Sequence, residues 1–335
     1  MRFMKRISGR ILSANDGQFF VARGRKIYIC DTLGNNSVEW FVLRTNFISS
    51  FIMNFYIFRR LFRFGFHHLT ISNHGCVIFV NKQIWYQSKT QSRFTGYING
   101  SRPLVVCAAD SRFFYGEYRS NNERSAVSIF ELSWPYKTWS KAISFDGVRH
   151  IHGIFFDKYE DCFWITTGDL DNESRIYKCN KDFSNLRIIV SGSQQVRAVT
   201  LLFTEDFIYF GSDTPDEKNH IYSISRKDNL IQPLQKVEGS VFYGCKFDNF
   251  LFFTTAVEPS KVNKNKKIEV WSSENGKQWA LKITYNKDFL PMKYFQYGQA
   301  GILVNDNHNS NEIIIIPFAT SLREVSEIFE ITEHD

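Results

Sequence analysis

The sequence predicts an all-β protein, a single β-propeller of four-stranded blades, and three observations carry that prediction. The first is a recurring phrase. An apolar, aromatic-rich strand runs into a turn, a second such strand follows, and a third ends in polar residues. The third strands read KIYIC (26–30), QIWYQ (83–87), VSIFEL (127–132), RIYKCN (175–180), HIYSIS (220–225), IEVWSS (268–273) and EIIIIP (312–317). They begin 44 to 57 positions apart, a period that belongs to propellers and solenoids. The second observation is composition: 33 Phe, 15 Tyr and 7 Trp suit a pleated, half-buried surface. The third is punctuation by turn residues such as NDG (15–17) and RGR (23–25) between the strands. Seven units in 335 residues give about 48 residues each, enough for four strands. The first and last units are the least regular, so six blades stay open beside seven. Closed β architectures often use this length as one domain, and residues 1–335 are read as one.

The units follow in order. The first is ILSA, QFFVA, KIYICD and VEWFVL (11–43). It is followed by TNFISSFIMNFYIF (45–58), uncharged and apolar, and then RRLFRFGF (59–66). The segment 45–66 is expected to form an amphipathic helical insert, too short in its apolar part to span a bilayer. It either packs its aromatic side on the propeller or lies in a membrane interface, with arginines beside headgroups and phenylalanines below. The second unit runs from His67 to Ile98, the third covers 103–145, and the fourth is the clearest: HIHGIFFD, CFWITTGD, RIYKCN and LRIIVSG (150–192). The fifth, sixth and seventh cover 197–237, 241–285 and 294–331.

Charge and cysteine content narrow the function classes. The net charge of +7 is scattered. Its nearest approaches to clusters are Arg59, Arg60 and Arg63, and the run Lys261, Lys264, Lys266 and Lys267. No recognition motif accompanies either, so nucleic acid is not an expected partner. The six cysteines (30, 76, 107, 162, 179 and 245) show no CxxC pair or zinc spacing and read as reduced, structural residues. The start, MRFMKRISGRIL, lacks an apolar stretch of signal-peptide length. A cytoplasmic monomer is expected, with peripheral contact at the inner membrane through 45–66.

SSENGKQW (272–279) fits Ser-x-Asp-x-Gly-x-x-Trp with Glu274 in the Asp place; KTW (137–139) keeps only the tail of that pattern, and 179–186 is more degraded. This pattern resembles the Asp-box, or BNR repeat, of sialidase-like β-propellers. FFYGEY, HIHGIFFD, WITTGD, RAVTLLFTEDFIYFGSD and RRLFRFGFHHL are similar to an uncharacterised branch of that group, encoded with bacterial surface-polysaccharide genes. The resemblance implies a carbohydrate partner, an acidic glycan or lipid-linked oligosaccharide. Asp-boxes are structural turns and argue fold, not activity. Sialidases of this group use an arginine triad, a Tyr–Glu pair, an Asp acid and a Phe-Arg-Ile-Pro motif. Only Arg197 is placed for a triad here, and no such motif is present, so sialidase activity is not expected.

In a propeller the start of each first strand and the end of each second strand share one face. First-strand starts supply His67 and His68, His150 and His152, Arg197, Tyr243, Tyr294 and Tyr297; second-strand ends supply Glu117, Asp169, Asp213 and Asp306. His150, His152, Tyr243, Glu117 and Asp169 are the catalytic candidates, and Arg197, His68, Asp213 and Tyr297 the substrate-binding ones. For His150-x-His152, whose alternate residues share a strand face, three readings are open: an acid–base element, ligands of a divalent metal with Asp169 or Glu117, or structural hydrogen bonds to backbone. No cofactor is otherwise expected. Arg197 is suited to a uronate or sialic acid carboxylate, or to a salt bridge between blades. Two functions follow: a lyase- or hydrolase-like enzyme on an acidic glycan, or a non-catalytic glycan-binding or scaffolding propeller in polysaccharide biosynthesis.

Overall fold

The structure, a computed structural model, describes residues 1–31, 36–133, 135–136, 138–305 and 311–332. It is all-β, with seven four-stranded antiparallel sheets and, among the described residues, only short helices: the architecture of a seven-bladed β-propeller. Strand β1 (Arg2–Ser8) precedes a meander of β2 (Arg10–Asn15), β3 (Gln18–Arg23), β4 (Lys26–Asp31) and β5 (Val38–Val42). Helices α1 (Phe47–Asn54) and α2 (Tyr56–Phe62) follow. The next meander is β6 (Phe66–Ser72), β7 (Gly75–Val80), β8 (Gln83–Gln87) and β9 (Ser92–Tyr97). The third is β10 (Val106–Ala109), β11 (Arg112–Gly116), β12 (Val127–Ser133) and β13 (Ser140–Phe145). The fourth is β14 (His150–Asp157), β15 (Cys162–Gly168), β16 (Arg175–Asn180) and β17 (Arg187–Ser191). The fifth is β18 (Ala198–Phe203), β19 (Phe207–Ser212), β20 (Asn219–Ser225) and β21 (Ile231–Val237). The sixth is β22 (Val241–Phe247), β23 (Phe250–Thr255), β24 (Lys267–Ser273) and β25 (Ala280–Asn286). Helix α3 (Met292–Phe295) leads into β26 (Gln299–Val304), β27 (Glu312–Phe318) and β28 (Val325–Glu330).

The recurring phrase has a physical meaning. In six sheets the pairing of the third strand with the fourth slips by one residue at the same place. The slips fall at Ile27/Tyr28, Ile84/Trp85, Ile129/Phe130, Ile176/Tyr177, Ile221/Tyr222 and Val270/Trp271. The aliphatic member is fully buried each time. A bulge here adds right-handed twist to the outer strand, and the repeated aliphatic–aromatic pair is its sequence mark. Second strands such as β15 are buried along their whole length, because both faces are covered by neighbouring sheets. They therefore read as continuous apolar runs rather than alternating ones.

Chain contacts form two compact units, Met1–Phe66 with Phe242–Asp335, and His67–Val241. In the first, β1 pairs with β28 from Arg2↔Glu330 to Ser8↔Val325. The N-terminal segment thus supplies the fourth strand that residues 294–331 lack. Ile7, Ile314 and Ile328 pack with Ile11, Phe19 and Val21 in one core.

The insert after the first blade is two helices rather than one. Asn46 caps α1 by accepting from the Ser49 backbone N–H at 2.8 Å, and extended backbone at Phe55 breaks the helix. Its polarity is unexpected. Arg59 and Arg60 are buried, while Phe47, Ile48, Phe51, Phe55 and Phe62 are exposed. Arg59 donates to Glu324 and to the Met53 carbonyl. Arg60 pairs with Asp288, donates to the Phe295 carbonyl at 2.6 and 3.1 Å, and lies over the rings of Tyr56, Phe295 and Phe318. Two guanidiniums with partners on the sheet side outcompete the aromatic face for the packed position, since a buried charge needs paired groups that phenylalanine does not. No described helix is long and apolar enough to cross a membrane.

Within His67–Val241, shared cores join successive sheets: Phe79 with Tyr115, Phe114 with Phe163 and Ile151, and Trp164 with Phe210 and Tyr222. Gly116 lets β11 approach β14, since a Cβ there would lie 2.3 Å from Ile151 Cγ2.

Candidate functional site

Ile151 sits between the two histidines of β14, and the local backbone explains their geometry. Ile151 pairs with Thr167 and Gly153 with Thr166, so His152 is an extra residue without a ladder partner. Bulges of this kind re-aim a side chain and are common beside functional sites. His150 and His152 are 4 % and 1 % exposed, and their Nε2 atoms face one another at 3.1 Å. Nδ1 of His150 lies 3.3 Å from the Arg119 carbonyl, and Nδ1 of His152 lies 3.2 Å from the Ala198 carbonyl. A carbonyl only accepts, so both Nδ1 atoms carry hydrogen, and both Nε2 atoms turn toward one another and toward Asp169.

Asp169, which follows β15, completes this arrangement. Its Oδ2 accepts from Arg149 Nη1 at 2.8 Å. Its Oδ1 is 3.2 Å from His150 Nε2, 3.7 Å from His152 Nε2 and 3.2 Å from Arg197 Nη2. Arg197 also holds Asp213 at 3.1 Å. Burial alone would raise the Asp169 carboxyl, but its contacts with His150 and His152 and the charge of Arg197 hold it well below the usual carboxylate range. Burial also lowers the pKa of His152, opposed by Asp169 and assisted by His150 and Arg197. His152 is thereby favoured in its neutral form.

Five of the sequence-predicted residues therefore meet in one cluster: His150, His152, Asp169, Arg197 and Asp213. The other four are elsewhere or otherwise engaged. Glu117 accepts from Arg119 Nε at 2.8 Å and from the Ser128 backbone N–H at 3.1 Å. His68 Nε2 donates to the Pro103 carbonyl at 2.8 Å. Tyr243 and Tyr297 belong to the other unit. Asp306 lies outside the described residues, as does Lys137 of the KTW segment. Sequence reasoning missed Tyr118, whose ring centroid is 4.1 Å from that of His150, and Arg149, which orients Asp169. Arg149 is adjacent to the His-x-His pair, and that adjacency was the available signal.

Tyr297 lines a second candidate site, a cleft of roughly 200 Å³ with Arg63, Met292, Lys293, Gln296 and Gln299. Arg63 closes α2 in a left-handed conformation, and α3 supplies Met292 and Lys293. The two helices are tied by Arg60 and by Gln296 Nε2, which donates to the Arg60 carbonyl at 3.0 Å. Tyr243 donates its hydroxyl to Gln299 Oε1 at 3.3 Å. Among the described residues, two cations, two amides and a tyrosine line the cleft, and no carboxylate does. Such a set can bind a negatively charged, hydroxyl-rich ligand.

The box at 272–279 is a turn between β24 and β25. Asn275 Oδ1 accepts from the Lys277 and Gln278 backbone N–H groups at 2.8 and 3.0 Å. Trp279 stacks on Phe253 with centroids 5.4 Å apart. Asn275, the neighbour of Glu274, is thus the side chain that closes the turn.

The fold defines the class of protein, a seven-bladed propeller of four-stranded blades. No protein-family model matches the chain, and no curated protein matches it. Among solved structures it is similar to a chain of the mitotic checkpoint complex, at 9 % identity and a TM-score of 0.61, over 99 % of this chain and 95 % of that one. It also matches a chain of a nidogen/laminin complex at 12 % identity and a TM-score of 0.46, over 75 % of this chain and 91 % of that one. At such identities the first likeness shows the fold alone.

Proposed function

We propose that this chain is a glycan-binding propeller that holds an acidic, lipid-linked oligosaccharide at a membrane surface, serving as a recognition or scaffolding element in surface-polysaccharide assembly. The observation that carries this reading is the cleft of Arg63, Lys293, Gln296, Tyr297 and Gln299, basic and aromatic with no carboxylate among its described lining residues. A sugar carboxylate pairs with the two cations, its hydroxyls with the amides, and its apolar face with the Tyr297 ring. The substrate class rests on the resemblance to sialidase-like propellers encoded with polysaccharide genes.

The exposed apolar face of α1 and α2 supports the membrane element. Residues 44–66 contain no Asp or Glu, and the exposed Arg44 and Arg63 suit anionic headgroups. Because Arg63 both ends α2 and lines the cleft, a surface-bound insert presents the cleft to headgroup-linked sugars. Flotation with vesicles containing phosphatidylglycerol is expected for the native protein. It is expected to be lost in the Phe47→Glu, Phe51→Glu double variant; equal flotation of the two sinks the membrane element.

The glycan reading is tested by calorimetric titration with oligogalacturonate and oligosialic acid. Hydrogen bonds to charged groups contribute about 1.5–3 kcal/mol, so Lys293→Glu and Arg63→Glu should each weaken binding roughly 10- to 100-fold. Affinity unchanged in both variants would remove the cleft from the account.

A second reading adds cleavage of the glycan and draws on the imidazole pair, with His152, which burial favours in its neutral form, as the base. Its signature is release of an unsaturated or reducing product by the native protein, abolished in His150→Ala while glycan binding persists. The near-complete burial of both rings is why binding is the first reading.

A further inference from the structure

We propose that His150, His152 and Asp169 form a site for one divalent transition-metal ion of the zinc class, held by the two Nε2 atoms and by Asp169 Oδ1. The site lies wholly within His67–Val241 and does not depend on the glycan-binding reading.

Three observations converge. First, the donor atoms have the right spacing. Zinc binds imidazole nitrogen and carboxylate oxygen at about 2.0–2.2 Å, which places the vertices of its tetrahedron about 3.3–3.5 Å apart. The three separations here are 3.1, 3.2 and 3.7 Å, and all three donor atoms fall within a single ligand-sized group.

Second, the donors are oriented by outer partners. Each imidazole gives its Nδ1 hydrogen to a backbone carbonyl, of Arg119 or Ala198, which leaves Nε2 as the ligating atom. Oδ2 of Asp169 is committed to Arg149, which leaves Oδ1 turned toward the histidines. Metal sites depend on such outer contacts to fix tautomer and direction.

Third, the centre of the cluster is a concentration of acceptors. Two buried Nε2 atoms face each other, and beside them the buried Asp169 Oδ1 meets the Arg197 guanidinium from one side only, at 3.2 Å. Buried acceptors left together are costly, and a cation between them removes the cost. Nitrogen-rich donors and small coordination number favour a zinc-like ion over calcium or magnesium, which take six or more oxygens. Three protein donors leave one tetrahedral position for water or a ligand oxygen. A single proton shared by the imidazoles is the competing occupant.

The test uses untagged full-length protein, analysed for metal as purified, stripped with chelator, then titrated with ZnCl2 and with CoCl2. The expected result is one equivalent of ion bound, a rise in Tm, and the visible absorption of tetrahedral cobalt ligated by nitrogen and oxygen. His150→Gln and His152→Ala should each lower zinc affinity about 100-fold or more. Because those variants can be destabilised in their own right, the native cobalt spectrum decides independently. Absence of uptake by the native protein overturns the proposal, as does a thiolate-type cobalt spectrum or equal affinity in folded variants.

Discussion

Replacing Asp157 by Ala is expected to cost about 3–5 kcal/mol of folding stability, the range for breaking a largely buried ion pair from one side. Asp157 ends β14 with no exposed surface. Its Oδ2 accepts from Trp164 Nε1 at 3.1 Å and from Arg226 Nη1 at 2.6 Å; its Oδ1 accepts from Arg226 Nη2 at 3.1 Å and from the Tyr159 backbone N–H at 3.0 Å. This two-pronged pair ties the fourth sheet to the residue just after β20 in the fifth. Glu160 adds a second contact to Arg226, and the Tyr159 and Phe203 rings flank its guanidinium. Removing the carboxylate leaves that guanidinium with Glu160 as its one remaining carboxylate, and it also orphans the Trp164 N–H. Urea denaturation should show the midpoint falling with the slope unchanged. In the double variant Asp157→Leu, Arg226→Met, the loss should be well below the sum of the single losses, because no charge is stranded. Strict additivity would mean that the two residues act independently and that this account of the joint is wrong.

Arg60→Ala is expected to detach the helical insert while leaving the sheets intact. Arg60 is 1 % exposed and joins α2 to α3 through Asp288, the Phe295 carbonyl and three aromatic rings. Asp288 keeps Lys287 at 2.6 Å in the variant, so the cost should be smaller than at Asp157, about 2–3 kcal/mol. It should be local, because α1 and α2 bury little besides Met53, Arg59 and Arg60. Limited chymotrypsin digestion should therefore cut within 47–62 much faster than in the native protein, with the far-ultraviolet strand signal preserved. Loss of glycan affinity should accompany it, since Gln296 and Arg63 are positioned through α2. Unchanged cleavage would show that the insert is anchored elsewhere.

These two joints also show what a sequence can reveal. The strand phrase was legible because a bulge and a buried aliphatic recur at one register position in six sheets. The HIH pair was legible because strand alternation places i and i+2 on one face, and Asp169 because it ends the partner strand. Residues 2–8 were not legible as the last sheet's fourth strand, since that pairing spans the length of the chain and leaves no local mark. The polarity of the insert was misleading for a related reason: whether Arg60 or Phe55 is buried depends on Asp288 and Phe318, more than two hundred residues away. Asp157 resembles any aspartate that closes a strand until Arg226 is known to reach it. The cleft combines Arg63 with Lys293 and Tyr297, and only Tyr297 could be picked out, from its place before a first strand.

Recognition of a glycan through its carboxylates can be measured on the native protein in one calorimetric comparison. Oligogalacturonate and the same oligosaccharide with its carboxyl groups reduced to alcohols are titrated under identical low-salt conditions. Saturable binding of the acid form is expected, with at least a tenfold loss for the reduced form and an affinity for the acid that falls as salt is raised. Equal affinity for both forms, or binding of neither this glycan nor oligosialic acid, would contradict it.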